Sequence, residues 1–336
     1  ATCLVLVGGY AMLAAAVLAV RRLLRRGGAR AVAALLLAVC AAGLVAGCEP
    51  SDRPDAPRVV RHFGSSGPGP GEFLYPRAID IAGDSTGGVV DKTARLQHFD
   101  AGGKYLGSFR LPEFAAGKPT GFTISPDGNL WVADTHYHRV IVFRPDGKEV
   151  RRFGRYGTGP GEMIYPTDVA FAGDGRVLVS EYGGNDRVTI WTLDGKYLGS
   201  LGSFGAGAGQ LSRPSALAVD AGRKRLYVAD ACNHRIAVYD LAGKLERYIG
   251  SIGRDVGQLR YPYGLALTGD GRIVVCEYGN NRIQVFSPEG RSLAVLGSPG
   301  RQLGELAYPW GVALDGSGLA YVVDAGNNRI QAWRLR

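Results

Sequence analysis

Cysteine, methionine and histidine are scarce in this chain, with five, two and five copies among 336 residues. Cys3 and Cys40 lie in apolar segments, and Cys48 ends one. Cys232 and Cys276 fall at non-equivalent positions of neighbouring repeats. They read as unpaired small core or loop residues, with a disulfide between them as the lesser alternative. The histidines offer no evident metal centre. His62 and His98 lie in strands, His138 and His234 sit in repeated turns beside Arg, and His136 stands apart. A catalytic zinc wants about three converging protein ligands, so no cofactor and no metal is expected. Gly-x-Ser-x-Gly, His-Glu-x-x-His and P-loop signatures are also missing, and Ser180 before Glu181 has no evident base. Acids are absent from residues 1–47, which hold Arg21, Arg22, Arg25, Arg26 and Arg30. Those five belong to a membrane-targeting segment. Without them the 39 basic residues become 34 against 30 acidic, and the formal charge of +9 falls to +4. Nucleic-acid binding loses most of its support.

Glycine is abundant instead. Its 51 copies are about twice ordinary usage and point to a fold dominated by turns. The N-terminal region reads as an address. Residues 1–30 comprise a candidate transmembrane helix and a basic cytoplasmic loop; the alternative is an over-extended start, with Met12 as the true one. Residues 31–48 have the layout of a signal segment, and Val45-Ala46-Gly47-Cys48 resembles a bacterial lipobox with Cys48 as the lipidated residue. Residues 49–57 carry three prolines and read as a tether. The remaining segment, 58–336, is expected outside the cytoplasm at the bacterial cell envelope, anchored by lipid or by the N-terminal helix.

Within 58–336 one pattern recurs. An apolar run ends in an acid, a polar turn leads to Arg, and alternating residues run on to a Gly-containing turn. Arg139, Arg187, Arg235, Arg282 and Arg329 are spaced 48, 48, 47 and 47 residues apart, with Arg95 a further 44 before them. Each innermost strand follows a proline: Pro76, Pro119, Pro166, Pro214, Pro262 and Pro309. This period, with several short strands per unit, predicts an all-β, six-bladed β-propeller of four-stranded antiparallel blades. The chain ends on a third strand, and Arg58-Val-Val-Arg-His-Phe-Gly64 has the pattern of a fourth, so the N-terminal strand is expected to close the last blade.

Asp230-Ala-Cys-Asn-His-Arg-Ile236, Glu277-Tyr-Gly-Asn-Asn-Arg-Ile283 and Asp324-Ala-Gly-Asn-Asn-Arg-Ile330 resemble the NHL repeat family. So do Gly69-Pro-Gly-Glu72 and Gly159-Pro-Gly-Glu162, each leading to Tyr-Pro. The resemblance covers residues 58–336. It departs in the first repeat, where Asp91-Lys-Thr-Ala-Arg95 is short, and in the second, which lacks Gly-Pro-Gly-Glu. It implies a binding or scaffolding module, with a metal-dependent lyase or hydrolase of the peptidylglycine-amidating or lactonase-like type, its site in the propeller channel, as the alternative.

The pairs Asp91/Arg95, Asp134/Arg139, Glu181/Arg187, Asp230/Arg235, Glu277/Arg282 and Asp324/Arg329 occur in every repeat and therefore read as architecture. Specificity belongs to positions that differ between repeats. After each proline stand Arg77, Thr120, Thr167, Ser215, Tyr263 and Trp310, and the acid-to-Arg turns on the same face add Tyr137, Tyr182 and Tyr278. Arg77, Thr120, Tyr137, Tyr182, Tyr263, Tyr278 and Trp310 are the expected ligand-binding residues, because aromatics round a depression supply contact area and a polar tip. The expected ligand is a protein, peptide or glycan, and the expected state is a monomer.

Overall fold

The computed structural model describes residues 58–335. The transmembrane, lipobox (Cys48) and tether assignments lie outside the described residues. Among the described residues, no helix is long and apolar enough to cross a membrane.

Six four-stranded antiparallel sheets make six blades. The fourth is representative, with strands Pro214–Asp220, Arg225–Asp230, Arg235–Asp240 and Leu245–Ile249 in spatial order. Its second strand, Arg-Leu-Tyr-Val-Ala-Asp, is buried from Leu226 onward on both faces. A strand packed on both sides reads as a continuous apolar run rather than an alternating one. Outer strands such as Tyr197–Leu201 alternate between half-buried and exposed residues, since they sit at the rim. The core is correspondingly divided. Six apolar clusters each span two successive blades, as where Tyr227 and Ile236 of the fourth meet Leu265 and Phe286 of the fifth.

The ring closes through its termini. Arg58–Phe63 pairs antiparallel with Arg329–Arg334, from Arg58 opposite Arg334 to Phe63 opposite Ile330. Phe63 then packs on Phe99 of the first blade at 4.9 Å between ring centroids. The last sheet so gains its fourth strand, and its edge is covered.

Near the axis, backbones approach closely. A Cβ on Gly264 would stand 2.7 Å from the Trp310 carbonyl oxygen, and one on Gly311 would stand 2.9 Å from that of Arg77. Only glycine fits where one inner strand crosses so near the next. The two irregular repeats keep the plan. Asp91 and Arg95 still pair at 3.1 Å across the shortened turn. In the second blade the inner strand starts at Gly121, and Glu113 reaches Arg139 at 2.9 Å. Cys232 is exposed, Cys276 is buried, and both are free, so the disulfide alternative does not occur.

Candidate functional site

The repeated motif residues hold the loops that enter each blade. In the acid–Arg pairs, Arg Nε stands 2.8 Å from Asp134, 2.5 Å from Glu181, 2.8 Å from Asp230, 2.6 Å from Glu277 and 2.7 Å from Asp324. Outside the second blade, where Arg139 meets Glu113 instead, the remaining guanidinium nitrogens donate to loop carbonyls; Arg282 reaches Arg254, Asp255 and Gln258. Except for Asp134, the acids in turn accept amides of the same loops, as Asp230 does from Ser212 at 2.6 Å.

In five of the six repeats, all but the first, the residue before the Arg reaches forward to the next blade. The amide of Tyr165 donates to His138 Nδ1 at 3.2 Å and that of Tyr261 to His234 Nδ1 at 3.1 Å. Asn281 and Asn328 do the same for Tyr308 and Tyr75, both at 2.7 Å, and Asp186 for Arg213. An imidazole accepting at Nδ1 must be neutral with its proton on Nε2. Burial also pushes both imidazoles below their ordinary pKa. His138 and His234 are thus occupied as acceptors. Among the described residues, no three His, Cys, Asp or Glu side chains are grouped as a metal site would need.

Those amides belong to residues just before the prolines, and their backbone is unusual. Tyr75, Tyr165, Arg213, Tyr261 and Tyr308 have φ between 45° and 54°. Left-handed backbone costs a non-glycine residue of the order of 1 kcal/mol or more; the inter-blade hydrogen bond helps hold it. Just after the proline the register slips, between Pro76 and Ala78, Pro166 and Asp168, and Pro262 and Gly264. A bulge frees the intervening side chain from the ladder and re-aims it. Both neighbours of the proline therefore serve the mouth of the central channel. Sequence reasoning found the residue after the proline and missed the one before it. The recurrence of Tyr-Pro in four repeats was the available signal.

The mouth is asymmetric. On one side Thr120, Thr167 and Ser215 stitch blades together. Thr120 Oγ1 donates to Thr167 O at 3.3 Å, Thr167 Oγ1 donates to Pro214 O at 2.7 Å, and Ser215 Oγ donates to Pro262 O at 3.0 Å. On the other side Tyr263, Trp310 and Arg77 form a connected surface. Ring centroids are 4.8 Å apart for Tyr263–Trp310, 4.9 Å for Tyr263–Tyr278 and 5.1 Å for Tyr278–Tyr308. The Arg77 guanidinium lies 4.7 Å over Trp310, and Arg213 lies 4.8 Å from Tyr182 and 5.5 Å from Tyr263. Five expected ligand residues thus meet: Arg77, Tyr182, Tyr263, Tyr278 and Trp310. Thr120 and Tyr137 do not join them. The Thr120 hydroxyl is engaged in the stitching. The Tyr137 ring stacks under Arg139, and its hydroxyl accepts the Ala116 amide.

Below the mouth the channel narrows to about 50 Å³, lined by Arg77, Thr120, Thr167, Ser215, Tyr263 and Trp310 among others. Beyond this neck it opens into a chamber of about 330 Å³ at the opposite end, where Asp80 and Asp168 stand. Each carboxylate bridges blades, Asp80 accepting the Ile124 amide at 2.7 Å and Asp168 that of Leu217 at 2.9 Å. Both are half-buried residues of the chamber wall, with protein packed round their carboxylates. This desolvation raises the pKa of Asp80 to about 6 and of Asp168 to about 7, against the lowering effect of the amides.

Residues 117–143 and 306–333 match the NHL repeat, and residues 197–316 match the SMP-30/gluconolactonase/LRE-like region. Over 77 residues, 23% of this chain, the sequence is 30% identical to the protein brain tumor of Drosophila melanogaster, and the match spans 7% of that protein. A streptogramin B lyase structure is similar with a TM-score of 0.59 and 16% identity, covering 82% of this chain and 97% of the lyase. A nidogen/laminin complex structure is similar at 0.54 and 17%, covering 71% and 84%. At such identities the two structures speak for the fold alone. With six blades, a closing N-terminal strand, and Asn, His and Arg of the repeated turns holding loops, this chain is a six-bladed β-propeller that carries NHL repeats at residues 117–143 and 306–333.

Proposed function

We propose that the propeller is a binding module that holds a peptide, protein or glycan across the aromatic mouth, displayed at the bacterial envelope through lipid on Cys48. The observation that carries this reading is the contiguous surface from Tyr308 through Tyr278, Trp310 and Tyr263 to Arg213 and Tyr182. It lies above a neck of about 50 Å³. Small-molecule pockets that engulf their ligands run to several hundred Å³; a neck this small leaves the ligand lying on the face. The rim on that side adds exposed apolar residues at equivalent loop positions. Tyr156, Phe204 and Ile252 are 68%, 62% and 66% exposed, more than solvation alone favours.

The test is binding of the full chain, in detergent, to peptide and glycan arrays. The reading expects retained ligands that Trp310→Ala and Tyr263→Ala weaken at least tenfold, each ring being a central aromatic anchor. Equal retention by both variants would refute it.

A second reading, a lyase or lactonase-like hydrolase, is favoured by the match of residues 197–316 and by two channel carboxylates poised near neutrality. No metal-dependent step follows, because the described residues lack a ligand set. Turnover of lactone substrates that Asp168→Asn abolishes, with the fold intact, would bring this reading forward.

A further inference from the structure

We propose that the mouth recognises a carboxylate, held between the guanidinium groups of Arg77 and Arg213 while the body of the ligand lies on Tyr263, Trp310 and Tyr278. This rests on the binding reading above and names the chemistry of the ligand.

The repeat arginines set the contrast. Arg95, Arg139, Arg187, Arg235, Arg282 and Arg329 each have a carboxylate partner. Arg77 and Arg213 have none among the described residues, and neither guanidinium donates a hydrogen bond there. The Nε of Arg77 is buried without an acceptor. Asp186, which accepts the Arg213 amide, also accepts that of Gly184 and is not paired with the Arg213 side chain. A half-buried cation with no counter-charge is unfavourable, and here two occupy one mouth. The charge of Arg213 is felt at Arg77, whose pKa is lowered chiefly by burial and in part by that neighbour. An anion between them removes both penalties.

Geometry selects the anion. Trp310 lies against one guanidinium, and Tyr182 with Tyr263 lies against the other. Stacking on an aromatic face fixes a guanidinium plane and leaves its N–H edge free. That edge is the fork that matches a planar carboxylate with two parallel hydrogen bonds. The neck below the two guanidinium groups is small, about 50 Å³, against the several hundred Å³ of pockets that engulf a ligand. Whatever bears the carboxylate must remain above, on the aromatic surface, where a side chain or a sugar ring can stack. Peptide C-termini and uronic acids both present this chemistry.

The experiment is titration of the full chain in detergent, followed by tryptophan fluorescence and calorimetry. The probes are benzoate against benzamide, N-acetyl-Ala-Ala-Phe against its C-terminal amide, and trigalacturonate against its methyl ester. At least one acid is expected to bind tenfold or more tightly than its neutral twin. That preference should shrink as salt rises and disappear in Arg77→Gln and Arg213→Gln. The pair showing the preference separates peptide from uronate. Both variants should melt at or above the wild-type temperature, since each removes an unpaired charge. If ligands found on the arrays bind while every acid and its neutral twin are equal, the carboxylate inference falls and the binding reading stands. If no acid binds at 10 mM, the inference falls as well, and the array result alone decides the binding reading.

Discussion

Replacing Asp168 by Asn separates what its charge does from what its shape does. The wild-type carboxylate accepts the Leu217 amide at 2.9 Å, a bond the amide oxygen of Asn can keep. Desolvation lifts its pKa from 3.8 to about 7, with the nearby charge of Asp80 as a lesser contribution. The folded chain therefore binds this proton more tightly than the unfolded one. The associated stability is complete below pH 3.8 and is lost progressively as pH rises to about 7. At about 1.4 kcal/mol per pH decade the whole window corresponds to at most about 4 kcal/mol. Contact with channel water relieves part of this, and about half is a reasonable working value. A domain of roughly 150–250 residues melts about 2–4 °C higher per kcal/mol gained, and the lower figure suits this longer chain. Thermal unfolding of wild type and Asp168→Asn, followed by circular dichroism at pH 4.5, 6 and 8, reads the difference. Other groups titrate alike in both proteins and cancel; loss of a hydrogen bond to the second carboxylate oxygen adds a constant offset. Between pH 4.5 and 8 about three quarters of that window is crossed, so the variant should gain about 3 °C on wild type. A difference that stays flat across that range would refute the claim that the channel carboxylate is desolvated.

Three further outcomes can be checked. His234→Ala leaves the Tyr261 amide without its acceptor and should lower stability by about 1–3 kcal/mol in urea unfolding, whereas Asn, the residue already serving at 281 and 328, should restore most of it. Because the His138 and His234 pKa values are lowered, their contribution is complete above about pH 6.5 and fades as pH falls, so the His234→Asn protein should be the more acid-tolerant. Deleting residues 58–63 should reduce the melting temperature far more than deleting residues 49–57, since it strips the partner of Arg329–Arg334 and uncovers a sheet edge; equal losses would mean the closure carries no weight. Gly264→Ala should cost about 1–3 kcal/mol, because the added Cβ meets the Trp310 carbonyl at 2.7 Å and two inner strands must separate; an unchanged unfolding midpoint would show that the crossing is slack.

Part of the site was legible along the chain. Arg77, Tyr263 and Trp310 stand out because they replace the small Thr120, Thr167 and Ser215 at one repeated position. Alternation from the proline places them on the face of the acid–Arg turns. Tyr75, Arg213, Tyr261 and Tyr308 were not legible in the same way. A residue before proline is expected to be extended, and each of these is instead left-handed, held by a side chain of the preceding blade. The acceptors lie about 27 residues away in the same chain, or 253 for Asn328, so no local preference announces them. For the same reason nothing in the sequence sets Asp80 and Asp168 apart from other strand residues. Their meaning comes from the amides of Ile124 and Leu217 in the next blade.

By itself the sequence determined the number of blades, the strand order within them and the closing role of residues 58–63. These follow from local chemistry repeated at a fixed interval: apolar runs, glycine turns and a proline at each inner strand. Only the tertiary structure decided which side chains share a surface. It turned one half of the mouth into hydroxyl stitching and the other into an aromatic floor under two unpaired arginines. The physical reason is that a propeller site is assembled where separate blades meet. Backbone approach at Gly264 and Gly311, bulges after the prolines and inter-blade hydrogen bonds set side-chain direction there, and none of these is a property of one repeat.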